Sequence, residues 1–260
     1  MQSILLVGAG KMGSAMLRGW LPNLDQSTRF VVLDPNAGPD LTKAGHAPDD
    51  RILYFKNVSN LPSGFVPDII VLATKPQIVQ SVVQALRPHI GQETTLISVA
   101  AGVHCDTIRT AAPDGAAVVR VMPNIGALVG HSVSAVFACA DTSDRQKTHV
   151  IAPFKAIGEM TWLSSEEDLH LATAVSGSGP AYYFAFCEAM IAAAQDRGLP
   201  LESARQLLAN DPDPTKLREM VTSPNGTTAA GLDALTADGV IALTARNTLD
   251  AAAKRSRELG

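Results

Sequence analysis

The chain has 260 residues, of which 46% are hydrophobic, 18% charged and 5% aromatic. That suffices for one large core or two smaller ones, built mainly from Ala, Val, Leu and Ile. The net charge is −4 and no basic run stands out, which argues against nucleic-acid binding, since that needs a concentrated positive surface. Three cysteines, Cys105, Cys139 and Cys187, are too few and too scattered for a disulfide framework or a CxxC metal site. They suit small core residues in a reducing, cytoplasmic setting. The histidines form no HxxxH pair, and His104 beside Cys105 reads as incidental, so no metal is expected. The opening M-Q-S-I-L-L-V lacks the positive n-region of a signal peptide.

Residues 3–7 form a short apolar run that stops at Gly8, and 13–21 have helical spacing. Residues 30–33 predict a second strand ending at Asp34-Pro35. Further strands are expected at 69–73, 95–99 and 117–121, each β-branched and bounded by turn residues. Helical patterns fall between them at 76–86 and 104–111, and edge strands are expected at 133–138 and 161–163. Strand–helix alternation with continuous apolar strands implies a parallel sheet covered on both faces. From about 166 the strand signals vanish and Ala-rich helical patterns follow. The expected fold is an α/β Rossmann-type dinucleotide-binding domain over 1–164, then an all-α domain over 165–260. The most apolar helical run, 181–194, contains Glu188 and is too short and too polar to span a bilayer. Apolar on nearly every face, it reads as a helix buried all round, within the chain or in an oligomer interface.

The segment G-A-G-K-M-G (Gly8, Ala9, Gly10, Lys11, Met12, Gly13) is a GxGxxG pattern placed after a strand and opening a helix. Gly8 allows the tight turn, Gly10 lets backbone approach a pyrophosphate, and Gly13 lets helix and strand pack closely. The helix N-terminus supplies N–H groups and a positive dipole end for phosphates. Asp34, at the end of the second strand, is placed to accept hydrogen bonds from an adenosine ribose. The alternative is that it does no more than shape the turn before Pro35. Its charge repels a 2′-phosphate and no Arg lies within 34–50, so charge leans to NAD over NADP.

Ligands of an open parallel sheet bind beyond the carboxyl ends of its strands. Those ends read A-T-K-P (73–76), V-A-A-G (99–102) and R-V-M-P-N (120–124). Their small residues permit close approach of a flat cofactor. Lys75 and Asn124 could bond to ribose or nicotinamide, although Lys75 also suits a solvated charge where Pro76 starts a helix. In S-G-S-G-P-A-Y (176–182) the glycines read mainly as close packing of backbone against another element. In V-T-S-P-N-G-T-T-A-A-G-L (221–232), hydroxyls and free N–H groups gather at a helix entrance. Thr227 or Thr228 could simply cap that helix, or the entrance could hold an anion.

Taken together, V-G-A-G-K-M-G, A-T-K-P-Q, V-A-A-G-V, R-V-M-P-N, T-A-V-S-G-S-G-P-A-Y and V-T-S-P-N-G-T-T-A-A-G-L occur in this order over nearly the whole chain. In this the sequence resembles the pyrroline-5-carboxylate reductase family, and the last two motifs are the most specific to it. The resemblance implies hydride transfer from NADPH or NADH to the C=N carbon of 1-pyrroline-5-carboxylate, giving L-proline. It implies an N-terminal dinucleotide-binding domain and a helical domain that interlocks with a second subunit, in a homodimer or higher homo-oligomer. It places cofactor contacts at Gly8, Ala9, Gly10, Lys11, Met12, Gly13, Asp34, Asn60, Ala73, Thr74, Lys75, Pro76, Ala100 and Ala101. It places substrate contacts at Glu166, Ser223, Gly226, Thr227 and Thr228. Thr228 is the candidate catalytic hydroxyl, beside the ring nitrogen.

Three features depart from the family pattern. Asn225 replaces the first Gly of S-P-G-G, and Asn tolerates positive φ better than most residues. Ile125-Gly126 stands where Thr-Pro is common, which alters one wall of the nicotinamide pocket. The segment 205–218 is shorter than usual by about a dozen residues, or about 18 Å of α-helix, in a region that helps build the intersubunit core. Asp211-Pro212 and Asp213-Pro214 stop any helix there. Competing readings are a cofactor-binding relative with weak or no reductase activity, or a reductase of another cyclic imine. A β-hydroxyacid dehydrogenase would need a Lys on the helix after its Gly motif, where this chain reads A-Y-Y-F-A-F-C-E.

Overall fold

The computed structural model describes residues 2–36, 49–209 and 213–259. Residues 37–48, within the span scanned for an arginine, and Asp211-Pro212 lie outside the described residues. The chain divides into two compact units, Met1–Ala172 and Thr173–Gly260.

The first unit is built on an eight-stranded sheet. Its strands are β1 (Ser3–Val7), β2 (Arg29–Leu33), β3 (Ile52–Phe55), β4 (Ile69–Leu72), β5 (Thr95–Ser98), β6 (Ala117–Met122), β7 (Ser132–Ala138) and β8 (Gly158–Trp162). They lie in the order β3-β2-β1-β4-β5-β6-β7-β8. All neighbours are parallel except β6 and β7, where Val121 faces Val136 in an antiparallel pair. The first six strands follow the doubly wound Rossmann order, with its switch point between β1 and β4. Helices α1 (Lys11–Asn23), α2 (Val79–Leu86), α3 (Cys105–Ala111), α4 (Asp144–Lys155) and α5 (Asp168–Ala172) belong to the same unit.

Alternation along β1 explains why its strand is apolar throughout. Ile4 and Leu6 join one core with Met16 and Trp20 of α1 and Val150 and Phe154 of α4. Leu5 and Val7 join a second core on the opposite face, with Val79 and Val83 of α2 and Ile108 of α3. Trp20 is fully buried, and its indole N–H donates to the Pro153 carbonyl at 2.7 Å. The expected strands and helices are present, with ends that differ by no more than three residues. The sequence reading missed β3. That strand lies at the sheet edge, with Leu53 and Tyr54 exposed, so burial imposes no clear alternation on it.

The second unit is helical. It holds α6 (Gly179–Gln195), α7 (Leu201–Ala209), α8 (Pro214–Val221), α9 (Thr227–Thr236) and α10 (Val240–Leu259). A π-helical turn, Thr173–Gly177, leads into α6. α6 is the hub, contacted by α7, α8, α9 and α10. At Gly231 a Cβ would fall 2.0 Å from Tyr182 Oη, so glycine leaves room for the Tyr182 ring between α6 and α9. Within the chain α6 is not buried all round: Tyr183 is 76% exposed, and Phe186 is also on the surface, which leaves the oligomer interface as the place where that expectation would be met. These two side chains and Val240 line an open apolar groove of about 460 Å³. The helix is therefore enclosed by the chain on one side only. In the segment 205–218, α7 stops at Ala209, and Asp213 caps α8 by accepting the Thr215 N–H at 3.0 Å.

The cysteine reading is also corrected. Cys105 and Cys139 form a disulfide across 34 positions, joining the start of α3 to the strand end after β7. Both are buried. Chain spacing hid the pair, because β5, α3, β6 and β7 bring distant positions together. Cross-linking a loop of this length restricts the unfolded chain, which corresponds to about 4 kcal/mol. Reduction, or Cys139→Ala, is expected to lower unfolding stability by about that amount, read as a lower urea midpoint with a steeper slope, because the released chain exposes more surface when unfolded.

Candidate active site

The turn after β1 carries three glycines with three different physical reasons. Gly8 has φ +95°, and a Cβ there would lie 2.7 Å from the Ala73 carbonyl oxygen. At Gly13 a Cβ would lie 2.0 Å from the Gly8 carbonyl oxygen. Both glycines are thus required by the chain's own packing. Gly10 is different: a Cβ there would meet nothing within 4 Å. It is the backbone N-cap of α1, with no side-chain cap. The space its missing side chain leaves faces outward at a helix N-terminus, which suits a phosphate-bearing ligand.

Asp34 sits beside this turn at the end of β2. Its carboxylate accepts the Ala9 N–H at 2.7 Å and the Asn36 N–H at 2.8 Å. Both oxygens are therefore engaged in shaping two turns, while the negative charge stays beside the cradle. The Gly8–Gly13 turn, Asp34, Ala73–Pro76 and Ala100–Ala101 follow the carboxyl ends of neighbouring parallel strands β1, β2, β4 and β5. Asn60 is exposed in a 3₁₀ turn, Val58–Asn60, soon after β3. Lys75 and Pro76 are exposed at a 3₁₀ start. Thr74 Oγ1 is buried with no hydrogen-bond partner among the described residues. A buried hydroxyl of this kind is costly unless a ligand or water satisfies it. The open space at Gly10 and this unpaired hydroxyl both fit a nicotinamide dinucleotide lying along the strand ends.

The side-chain oxygen of Asn124 is engaged within the chain. Its Oδ1 accepts the Gly126 N–H at 3.1 Å and the Val133 N–H at 3.2 Å, holding the 3₁₀ turn Ile125–Val129. At Gly126 a Cβ would lie 2.2 Å from the His131 carbonyl oxygen, so glycine is needed inside this turn.

Glu166 lies in the first unit, in a polar cluster. Its Oε1 accepts the Cys105 N–H and an N–H of Arg120, each at 2.7 Å. Arg120 points from β6 and is 2% exposed. His104 Nδ1 stands 3.8 Å from the same oxygen, and the His104 and His170 rings are 5.7 Å apart. His104 thus takes part in this cluster. Burial alone would raise the Glu166 pKa, but the Arg120 hydrogen bond, the Cys105 amide and the charges of Arg120 and His104 hold it below the ordinary glutamate value.

In the second unit, Ser223-Pro224-Asn225-Gly226 makes a turn closed by the Gly226 N–H on the Ser223 carbonyl at 3.0 Å. Asn225 has φ 57°, so proline followed by positive φ gives this turn its type II signature. Gly226 is the backbone N-cap of α9, with no side-chain cap. The capping reading of Thr227 and Thr228 is thereby corrected, since both lie inside the helix. Thr228 Oγ1 instead donates to Ser178 Oγ at 3.0 Å, and Thr227 Oγ1 lies 3.3 Å from the same atom. In S-G-S-G-P-A-Y, Ser178, Gly179 and Ala181 are buried as the packing reading expects, although a Cβ at Gly179 would meet nothing within 4 Å.

The comparisons with known proteins agree with this geometry. Residues 166–259 match a model described as pyrroline-5-carboxylate reductase dimerisation, and residues 3–102 one described as NADP oxidoreductase coenzyme F420-dependent. The chain is 34% identical to the pyrroline-5-carboxylate reductase of Pseudomonas aeruginosa, over 98% of this chain and 96% of the relative. The chain belongs to the pyrroline-5-carboxylate reductase family. The family member from Methanosarcina acetivorans is also 34% identical, covering 100% of this chain and 98% of its own. A crystal structure of pyrroline carboxylate reductase from Plasmodium falciparum, with NADP bound, superposes with a TM-score of 0.66. It is 26% identical over 100% of this chain and 98% of that one.

Relative to the family pattern, Asn225 keeps the positive φ that glycine usually supplies there. The reading of the sequence missed Arg120, His104 and Ser178 as parts of these clusters. Arg120 is a charged residue inside an otherwise continuous apolar strand. That was an available sign of a buried ion pair, since a charge is rarely buried unpaired.

Two outcomes test these arrangements. Gly13→Ala is expected to unfold or strongly destabilise the first unit, whereas Gly10→Ala is expected to melt as wild type yet bind nucleotide at least ten-fold more weakly, by calorimetry. Glu166 contributes stability fully above the ordinary glutamate pKa and loses it as pH falls through its own depressed value. Glu166→Gln is therefore expected to be about 2 kcal/mol less stable at neutral pH. In melts run against pH, that gap should close toward acid.

Proposed function

We propose that this chain reduces the C=N bond of 1-pyrroline-5-carboxylate to give L-proline. The observation that carries the proposal is the extent of the family likeness. It runs end to end, so the glycine cradle of the first unit and the hydroxyl-lined start of α9 both fall within it. NADH or NADPH supplies the hydride when bound.

We assign cofactor contacts to the Gly8–Gly13 turn with Ala9, Lys11 and Met12, and to Asp34, Asn60, Ala73, Thr74, Lys75, Pro76, Ala100 and Ala101. The amides at the start of α1 hold the phosphates. Thr74 Oγ1 gains the partner it lacks among the described residues. Asp34, fixed by two backbone amides, keeps a negative charge where a 2′-phosphate would sit, which supports NADH over NADPH.

For the substrate we assign Ser223, Gly226, Thr227 and Thr228, with Glu166. The first-turn amides of α9 have no side-chain cap, so they can take the substrate carboxylate with help from the helix dipole. Thr228 is the hydroxyl facing the ring nitrogen. The protein's remaining contribution is alignment, which can supply several kcal/mol of the barrier. The helical residues 165–260 form the substrate-binding and dimerisation part of this reading. A homodimer or higher homo-oligomer would cover the apolar face that α6 leaves open. A cytoplasmic location is part of the same reading, and among the described residues no helix is long and apolar enough to cross a membrane.

The test is direct. Purified protein with NADH or NADPH and 1-pyrroline-5-carboxylate should consume the nicotinamide absorbance, with NADH the better donor. Thr228→Ala should lower kcat by about 100-fold, the scale for losing one hydrogen bond made in the transition state. Nucleotide binding without turnover would refute the reductase reading and favour a cofactor-binding relative. Preference for NADPH would refute the role given to Asp34.

A further inference from the structure

Three hydroxyls meet where α6 and α9 begin. Thr227 Oγ1 belongs to an exposed residue, whereas Ser178 and Thr228 are 1% and 6% exposed. Ser178 Oγ lies 3.3 Å from Thr227 Oγ1 and accepts from Thr228 Oγ1 at 3.0 Å. A continuous hydroxyl row thus leads from the surface to the buried side chain assigned to the ring nitrogen. Ser178 is the link, since no hydrogen bond joins the two threonine hydroxyls directly. The π-helical turn places it there: the Ser178 N–H reaches back to the Thr173 carbonyl at 2.8 Å, and such bulges cluster at functional positions.

We propose that Ser178 is a positioning residue that relays a proton from Thr227, at the surface, to Thr228. This rests on the reading of Thr228 as the group at the ring nitrogen. The chemistry needs such a path. When hydride adds to the ring carbon, the C=N π pair moves onto nitrogen, which must gain a proton to become a neutral secondary amine. Thr228 gives its hydroxyl proton to nitrogen, Ser178 gives its own to Thr228, Thr227 gives its own to Ser178, and solvent water restores Thr227. Three O–H bonds break and three form within the row, no alkoxide accumulates, and the only oxidised species is the nicotinamide. A hydroxyl holds one proton and two lone pairs, so each can donate and accept in turn. The relay leaves every hydroxyl donating outward, and Thr228 donating to Ser178 is that orientation.

The experiment is single-turnover reduction of 1-pyrroline-5-carboxylate in mixtures of light and heavy water. Wild type should show a curved proton inventory, because several protons move together. Ser178→Ala should slow the single-turnover rate by roughly 10- to 100-fold, the usual range for lost proton-transfer assistance. Its inventory should become linear, with L-proline and nucleotide affinity within two-fold of wild type by calorimetry. Ser178→Thr, which restores a hydroxyl, should recover the curvature. Thr227→Val removes the exposed end of the row without touching the core and should also straighten the inventory. Wild-type rate and curvature in Ser178→Ala or Thr227→Val, with Thr228→Ala impaired, would overturn the relay alone. A wild-type rate in Thr228→Ala would overturn the reading of Thr228 and the relay with it.

Discussion

The first unit depends on one steric constraint, the contact of bare backbone with bare backbone where β1 turns into α1. The Gly8 carbonyl occupies the place of a Gly13 Cβ, and the Ala73 carbonyl crowds that of a Gly8 Cβ. Only with both side chains absent can α1 begin directly above the strand ends. That start aims the N-terminal amides of α1 along the switch point of the sheet. Asp34 is locked to the same turn through the Ala9 amide, so charge and helix dipole are positioned by one short segment. Gly10 is then free to serve a ligand instead of the fold.

The helical unit solves a related problem with different means. Gly231 leaves room for the Tyr182 ring between α6 and α9, and in this packing Thr227 and Thr228 reach Ser178. The turn before α9 uses Pro224 and Asn225 to set a direction that most residues could not adopt. Hydroxyls that elsewhere cap helices are here freed from that task, because Gly226 takes the cap position with its backbone alone.

Much of this was legible in the sequence, for identifiable reasons. Parallel strands buried on both faces leave continuous apolar runs, and GxGxxG after a strand has few other uses, so the Rossmann half and its cradle could be read directly. Asn225 was anticipated from its tolerance of positive φ. What could not be read depended on partners distant in the chain. β3 is a short edge strand under weak burial. The Cys105–Cys139 bond and the Arg120–Glu166 pair join positions that only the sheet order brings together. Local reasoning about Thr228 pointed to capping, because its actual partner, Ser178, stands 50 residues away.

The uncovered side of α6 has a thermodynamic consequence. A helix that leaves Tyr183 and Phe186 facing water forgoes the burial that would stabilise it within one chain. Whatever covers that face contributes its binding free energy to folding, and if the cover is a second copy, mass action makes resistance to unfolding rise with protein concentration. The helical unit would then have no single stability of its own, only one defined at a stated dilution.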